Sequence, residues 1–285
     1  MKPRTLILLA AALAIALVAP LLTARGVTPA TTPVDLQAPR PIAAADTLHL
    51  DEMTWMEIRD ALRAGKRTAI VPVGGIEQNG PYVVTGKHNL IVRAIAERVA
   101  RELGDALVAP VVPFVPEGNI DPPEGWMRYP GTISVSDATY EALLTDICAS
   151  LRAHGFERIA LLGDSGGNQA GLANVARKLN TRWAREKTRV AHIAEYYNHD
   201  DVDRWLEKRG IHQVPDGTHD DFAINATLLA IDPTSVRMKQ RLAADRFRVN
   251  GVELAPVEKS IELGRKIIEF RAAATVAAIR RAFAE

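Results

Sequence analysis

The sequence has 285 residues, 47% of them hydrophobic and 24% charged, which is typical of a globular protein with a sizeable core and excludes a disordered chain. Lysine and arginine number 35 against 34 acidic residues, so we expect no nucleic-acid partner, because such partners need a local excess of basic residues. Cys148 is the single cysteine, so no internal disulfide forms, and we predict it to be a core residue.

The N-terminal region predicts export. Lys2 and Arg4 precede an apolar run over residues 6–22, which is the plan of a secretory signal. We predict a signal peptide, or alternatively an N-terminal anchor, over residues 1–24, and a disordered spacer rich in Pro, Thr and Ala over 25–47. A folded domain over 48–285 is then expected in the bacterial periplasm, with no membrane contact beyond the signal.

Strands and helices alternate along the folded domain. Apolar runs with β-branched residues predict strands, and apolar residues at helical spacing predict helices. The predicted strands cover 68–73, 106–112, 158–162 and 189–194, and the predicted helices cover 51–64, 89–103, 137–153, 168–179, 201–208, 222–230 and 257–284. Asp137 is the expected cap of the third helix. This alternation predicts an α/β fold with a mostly parallel sheet covered on both faces.

One long connection stands out. Residues 113–133 hold many prolines and glycines and no element of their own. Loops of this length inside a compact domain are usually functional. We therefore predict that this loop forms part of a binding or catalytic site.

Ionisable side chains follow the predicted strands. Because the carboxyl ends of parallel strands share one edge of the sheet, we expect these groups to converge there. Carboxylates and imidazoles without thiolates suit zinc, manganese or iron(II). Each residue alone equally fits a capping or solvated role. The pool comprises Glu77, His88, Asp164, Glu195, His219 and Asp221.

Four ordered motifs resemble the creatininase family of metal-dependent amidohydrolases. PVGGIEQNGPY at 72–82 is similar to the family's PVGSxEQHGPH, and YPGTIS at 129–134 to its hPGTxS. GDSGGN at 163–168 stands where the family has NGHGGN, and residues 218–237 are similar to its HAGxxETSxxLxxxPxxVR segment. The resemblance implies a three-layer α/β/α domain, a small-molecule substrate and assembly into homo-oligomers.

The chain departs from the ligand pattern that the resemblance implies. Glu77 is retained, whereas Asn79, His88 and Ser165 replace three ligands of the family's two-metal site. In creatininase itself a further glutamate stands where this chain has Gly167, and the ETS glutamate of many relatives falls at Ile224. Either the metal site is lost, or it is rebuilt around one ion held by Glu77, His88 and Asp164. We predict the rebuilt site, with one divalent ion, zinc before manganese or iron.

The predicted reaction is hydrolysis of a C–N amide bond, linear or cyclic, by metal-activated water. His219 matches the HAG histidine and is the predicted proton donor to the leaving nitrogen, with Asp221 or Asp220 orienting its ring. The predicted substrate-binding residues are Asn79, Tyr82, Ser165, Asn168, Trp126 and Tyr129.

Two other functions remain open. The fold could serve as a non-catalytic small-molecule-binding protein, or Ser165 and His219 could act as a metal-independent serine hydrolase pair. GDSGG also surrounds the nucleophile of trypsin-like proteases, but the all-β context of those enzymes is absent from the predicted pattern.

Overall fold

The computed structural model describes residues 35–215 and 219–284. The predicted signal peptide lies outside these residues. Residues 35–41 belong to a separate unit, in which Ala38 N donates to the Asp35 carbonyl oxygen to close a turn. The remaining described residues belong to a unit that spans Ile42–Glu285.

A four-stranded parallel sheet forms the middle layer, in the order β2-β1-β3-β4. The strands are β1 (Thr68–Val73), β2 (Ala106–Val108), β3 (Arg158–Gly163) and β4 (Arg189–His192). A two-stranded antiparallel hairpin of β5 (Arg248–Val249) and β6 (Val252–Glu253) lies outside this sheet. The predicted β2 and β4 extended further than the observed strands do.

Helices cover both faces of the sheet. They are α1 (Trp55–Arg63), α2 (Lys87–Leu103), α3 (Asp137–Ala153), α4 (Gln169–Arg182), α5 (His199–Glu207), α6 (Phe222–Ile231), α7 (Met238–Ala243) and α8 (Val257–Ala282). Ile70 packs into the core that contains α2, α6 and α8, whereas its neighbours Ala69 and Val71 face the core that contains α3 and α4. Alternate side chains of the strand therefore pack into two separate cores, one on each face of the sheet. The predicted three-layer α/β/α fold is confirmed.

Several helix ends differ from their predicted positions. The N-cap of α3 is Ser136, whose hydroxyl accepts the Thr139 amide, and not Asp137. Helix α2 begins at Lys87, two residues earlier than predicted, so Lys87 and His88 project from its first turn. The short α7 and the β5–β6 hairpin carry no periodicity long enough to be recognised in sequence. Among the described helices, none combines the length and apolar character needed to cross a membrane.

The long connection from β2 to α3 runs back along the carboxyl end of the sheet. Val112 forms an isolated bridge with Val73, and Ile133 forms one with Ile76. These bridges hold the loop against the residues that follow β1. The candidate site lies between this loop and the ends of β1 and β3.

Candidate functional site

Three predicted ligands form a hydrogen-bonded chain at the carboxyl edge of the sheet. His88 Nε2 lies 2.7 Å from Glu77 Oε1, and His88 Nδ1 lies 2.8 Å from Asp164 Oδ2. All three side chains are buried. The loop after β1 carries Glu77, the first turn of α2 carries His88, and Asp164 follows β3 directly. The structure thus brings together the three residues for which the sequence predicted a shared site.

Both nitrogens of His88 face carboxylates, which as anions only accept hydrogen bonds. The ring therefore donates on both sides and is an imidazolium. Burial alone lowers the pKa of His88, but the hydrogen bonds to Asp164 and Glu77 outweigh it and raise that pKa. Burial likewise opposes ionisation of Glu77, yet the His88 hydrogen bond and charge lower the pKa of Glu77.

Asp164 is anchored by two further groups. The Tyr196 hydroxyl donates to Asp164 Oδ1 at 2.7 Å, and Arg271 Nη2 donates to the same oxygen at 2.9 Å. Burial works against the charge, but the Arg271 guanidinium and the His88 hydrogen bond hold the pKa of Asp164 well below its usual range. Asp164 therefore fixes the orientation of His88 as an ionised hydrogen-bond acceptor.

Lys87 supplies another charge from the same helical turn. Its Nζ lies 3.8 Å from Glu77 Oε1 and donates to the His219 carbonyl oxygen at 3.3 Å. Only 1% of the lysine is exposed, and burial lowers its pKa. The predicted site did not include this residue, although a lysine beside a histidine at a strand-end loop was a signal for a role there.

Glu117 is the second site residue, after Lys87, that the sequence did not single out. Its carboxyl lies against the backbone of Gly75, where a Cβ atom would meet Oε1 at 2.2 Å. The Ser165 hydroxyl lies 3.5 Å from Oε2, and Oε1 finds no donor among the described residues. Burial, reinforced by the charge of Glu77, raises the pKa of Glu117 to about 8. A neutral Glu117 carries a proton that it can donate.

His219 has a defined tautomer. Its Nδ1 lies 3.0 Å from the Gln78 carbonyl oxygen, which can only accept, so Nδ1 carries the hydrogen when the ring is neutral. Burial, followed by the charge of Lys87, lowers the pKa of His219. The Trp126 ring stacks on the imidazole at 4.1 Å with an interplanar angle of 19°. His219 Nε2 therefore keeps its lone pair.

Of these groups, Glu77, His88, Glu117 and His219 border one cavity of about 350 Å³. Such a volume lies at the lower end of the range for small-molecule sites. The Ser165–Gly167 turn forms one wall and approaches the long loop closely, since a Cβ at Gly167 would meet the Pro116 carbonyl oxygen at 2.3 Å. The cavity is lined by Glu77, His88, Pro116, Glu117, Gly118, Trp126, Ser165, Gly166, Gly167, Tyr197 and His219.

Several predicted substrate contacts lie elsewhere. Asn79 donates to the Glu77 and Val84 carbonyl oxygens, and Asn168 donates to those of Gly74 and Val73. Their amide nitrogens are thus committed to holding loop backbone, and neither residue lines the cavity. Ser165 and Trp126 do line it.

Two predicted aromatic contacts also lie away from the cavity lining. Tyr129 is 48% exposed and packs at an angle on Trp126, with 6.3 Å between ring centroids. Tyr82 lies under the Arg241 guanidinium, 4.9 Å from its ring centroid. The remaining member of the acidic pool, Glu195, pairs with Arg281 at an exposed position.

The predicted partner of His219 has another contact. Asp221 caps α6 by accepting the Ile224 amide at 2.6 Å, and Asp220 pairs with the buried Arg241. The ring of His219 is instead oriented by the Gln78 carbonyl and by Trp126. The structure therefore corrects the expectation that an adjacent aspartate holds the imidazole.

The donor set does not fit one ion held by Glu77, His88 and Asp164. The imidazole ring stands between the two carboxylates, so a single ion cannot contact all three. Among the described residues, no three His, Cys, Asp or Glu side chains converge as a metal-binding group. Both carboxylates also have cations beside them already, Lys87 at Glu77 and Arg271 at Asp164. The favoured chemistry at this site therefore takes no step through a metal.

A protein-family model described as Creatininase: Creatinine amidohydrolase matches residues 51–279. The match begins near the first predicted helix of the folded domain and extends through most of α8. It covers well over half of the chain.

Curated relatives match over shorter segments. Creatinine amidohydrolase of Pseudomonas putida is 31% identical over 116 residues, which are 41% of this chain and 44% of that protein. Mycofactocin precursor peptide peptidase of Mycolicibacterium smegmatis is 35% identical over 109 residues, which are 36% of this chain and 41% of that protein. The matched segment thus spans less than half the length of either relative.

A solved structure described as Creatininase Mn superimposes with a TM-score of 0.60 at 24% identity. The match covers 84% of this chain and all of that one. This likeness shows a shared fold, and manganese belongs to the description of that protein alone.

Proposed function

The chain belongs to the creatininase family, and on that premise we propose that it is a hydrolase that cleaves a C–N amide bond, linear or cyclic, in a small molecule. One observation carries the proposal: Glu77, Glu117 and His219 border a single cavity at the carboxyl ends of parallel strands. The relatives are named for hydrolysis of creatinine and of a precursor peptide, both of which are C–N bond cleavages.

The proposed base is His219. Its Nδ1 donates to the Gln78 carbonyl, so Nε2 accepts a proton from a water molecule as the water oxygen attacks the amide carbon. The imidazolium then returns this proton to the leaving nitrogen and the C–N bond breaks. This keeps the donor role predicted for His219 and adds the step that loads its proton. Trp126, stacked on the ring, limits rotation and excludes other water.

The proposed oxyanion partner is Glu117. A carboxyl that stays protonated near neutral pH donates a hydrogen bond to the carbonyl oxygen as negative charge develops there. Burial keeps Glu117 protonated, and repulsion from the ionised Glu77, which His88 and Lys87 hold, reinforces this. Of these two adjacent acids, Glu77 is ionised and helps to keep its neighbour protonated, and Glu117 donates the hydrogen bond.

Metal-dependent hydrolysis is the second candidate, and the structural relative described with manganese favours it. In that case one divalent ion, zinc before manganese or iron, would polarise the carbonyl and activate the water. Chelator treatment separates the two routes. Turnover that survives chelation supports the first, whereas turnover that is lost and then restored by zinc or manganese supports the second.

The test is a screen of purified protein against small linear amides and lactams, with amine release as the readout. His219→Asn is the matched variant, because turnover that persists undiminished in it does not depend on the proposed base. Ser165→Ala tests the serine route, which requires its hydroxyl. A ligand that raises the melting temperature without turnover would instead identify a binding protein.

We also propose that the enzyme acts in the periplasm as a homo-oligomer. The basic and apolar N-terminal sequence supports export, and the family resemblance supports assembly. Light scattering on the eluting protein measures the assembly directly, and a monomeric mass at micromolar concentration would contradict it.

A further inference from the structure

Lys87 is a buried cation beside Glu77 in the candidate site. Lysine is almost never fully buried unless paired, yet here 1% of the residue is exposed. Among the described residues, its ammonium has two partners: Glu77 Oε1 at 3.8 Å and the His219 carbonyl oxygen at 3.3 Å. Lys87 therefore links Glu77 to the loop that carries His219, the proposed base.

Every ionised carboxylate of the site has its own positive partner. Glu77 has Lys87 and His88, and Asp164 has His88 and Arg271, with N···O separations of 3.8, 2.7, 2.8 and 2.9 Å. The cations come from the first turn of α2 and from α8, two rigid elements. A divalent ion that approached Glu77 would meet Lys87 and His88 before it met an uncompensated acid.

We infer that the Lys87 ammonium, 3.8 Å from Glu77 Oε1, takes the place of a bound ion at Glu77, and that its presence closes the site to divalent cations. Removal of this charge leaves Glu77 and Glu117 side by side with less compensation. Paired carboxylate oxygens are ligands that manganese prefers, so Mn²⁺ is the probe that this change favours. The inference rests on the proposed function only where turnover is concerned, because metal binding is measured separately.

The experiment is a Mn²⁺ titration followed by the electron paramagnetic resonance signal of the free ion, on chelator-treated full-length protein. Wild type should leave this signal unchanged at equimolar metal. Lys87→Met should bind Mn²⁺ at least about a thousandfold more tightly, because the removed unit charge lies 3.8 Å from Glu77 Oε1 and, at an effective dielectric constant of about 20, such a charge repels each unit charge of a nearby ion by roughly 4 kcal/mol. Adding Glu77→Gln to that variant should abolish the gain.

The matched control is Lys266→Met. Lys266 also pairs with a glutamate, Glu262, at 2.6 Å, but on the exposed surface of α8. This variant should bind Mn²⁺ no better than wild type. Circular dichroism and the melting temperature establish that each variant is folded.

Stoichiometric Mn²⁺ or Zn²⁺ binding by wild type that Glu77→Gln abolishes would overturn the inference. So would a folded Lys87→Met variant with unchanged affinity. If Lys87→Met does not fold, the wild-type titration decides alone, with no binding in support and Glu77-dependent binding against. Absence of turnover on every amide would count against the proposed function and leave this readout intact.

Discussion

Glu117→Gln tests the protonation state on which the proposed chemistry depends. The substitution keeps the shape of the side chain and removes its titration. Burial and the charge of Glu77 raise the pKa of Glu117 to about 8 in the folded protein, against about 4.3 in an unfolded chain. Between these values the native state holds a proton that the unfolded state lacks. The stability contributed by this proton is fully present below about pH 4 and is lost as the pH rises through about 8.

The size of the effect follows from this proton difference. When only the native state binds a given proton, the free energy of unfolding falls by about 1.4 kcal/mol for each unit by which the pH rises. Between pH 5.5 and pH 7.5, the free energy of unfolding of wild type should therefore fall by about 3 kcal/mol more than that of Glu117→Gln. Titrating groups distant from Glu117 act equally on both proteins and cancel in the difference.

The assay is urea unfolding of chelator-treated protein at half-unit pH steps, with the difference in free energy of unfolding plotted against pH. Glu124→Gln is the control, because Glu124 lies exposed in the same loop. That variant should track wild type at every pH. A difference between wild type and Glu117→Gln that does not change with pH would refute a neutral Glu117 and, with it, the proposed oxyanion partner.

Three other outcomes are expected. His219→Asn should lower kcat about 10²–10⁴-fold with little change in melting temperature, and undiminished turnover would remove His219 from the reaction. Asp164→Asn leaves Arg271 and His88 without their buried counter-charge, so the free energy of unfolding should fall by about 3–5 kcal/mol; a urea midpoint equal to wild type would contradict this. N-terminal sequencing of protein from a periplasmic extract should begin after the apolar run, whereas Met1 on protein found in the cytosol would disprove export.

The sheet and the main helices were predictable because local patterns encode them. Continuous β-branched runs mark buried strands, and apolar residues at helical spacing mark α3 and α8. The convergence of Glu77, His88 and Asp164 was predictable for a related reason, since parallel strands end at one edge. Local sequence was therefore sufficient to find the place of the site.

The partners that give those residues their chemistry were not predictable. Arg271 reaches Asp164 from α8, 107 positions later in the chain, and Tyr196 reaches it from the turn after β4. Glu117 depends on where the long loop crosses Gly75. No periodicity specifies such contacts between distant segments, and they decide whether His88 donates hydrogen bonds or ligates an ion.

The close approach of Gly167 to Pro116 limits which ligand sets this backbone can carry. The resemblance places a glutamate of creatininase itself at position 167, yet a Cβ atom there would lie 2.3 Å from the Pro116 carbonyl oxygen. Pro116 directly precedes Glu117 in the chain, so a side chain at 167 would displace the segment that delivers this acid. Gly167→Glu alone would therefore disrupt the long loop before it could supply the glutamate of creatininase. A glutamate at this position becomes compatible with the fold only when the long loop is rebuilt at the same time.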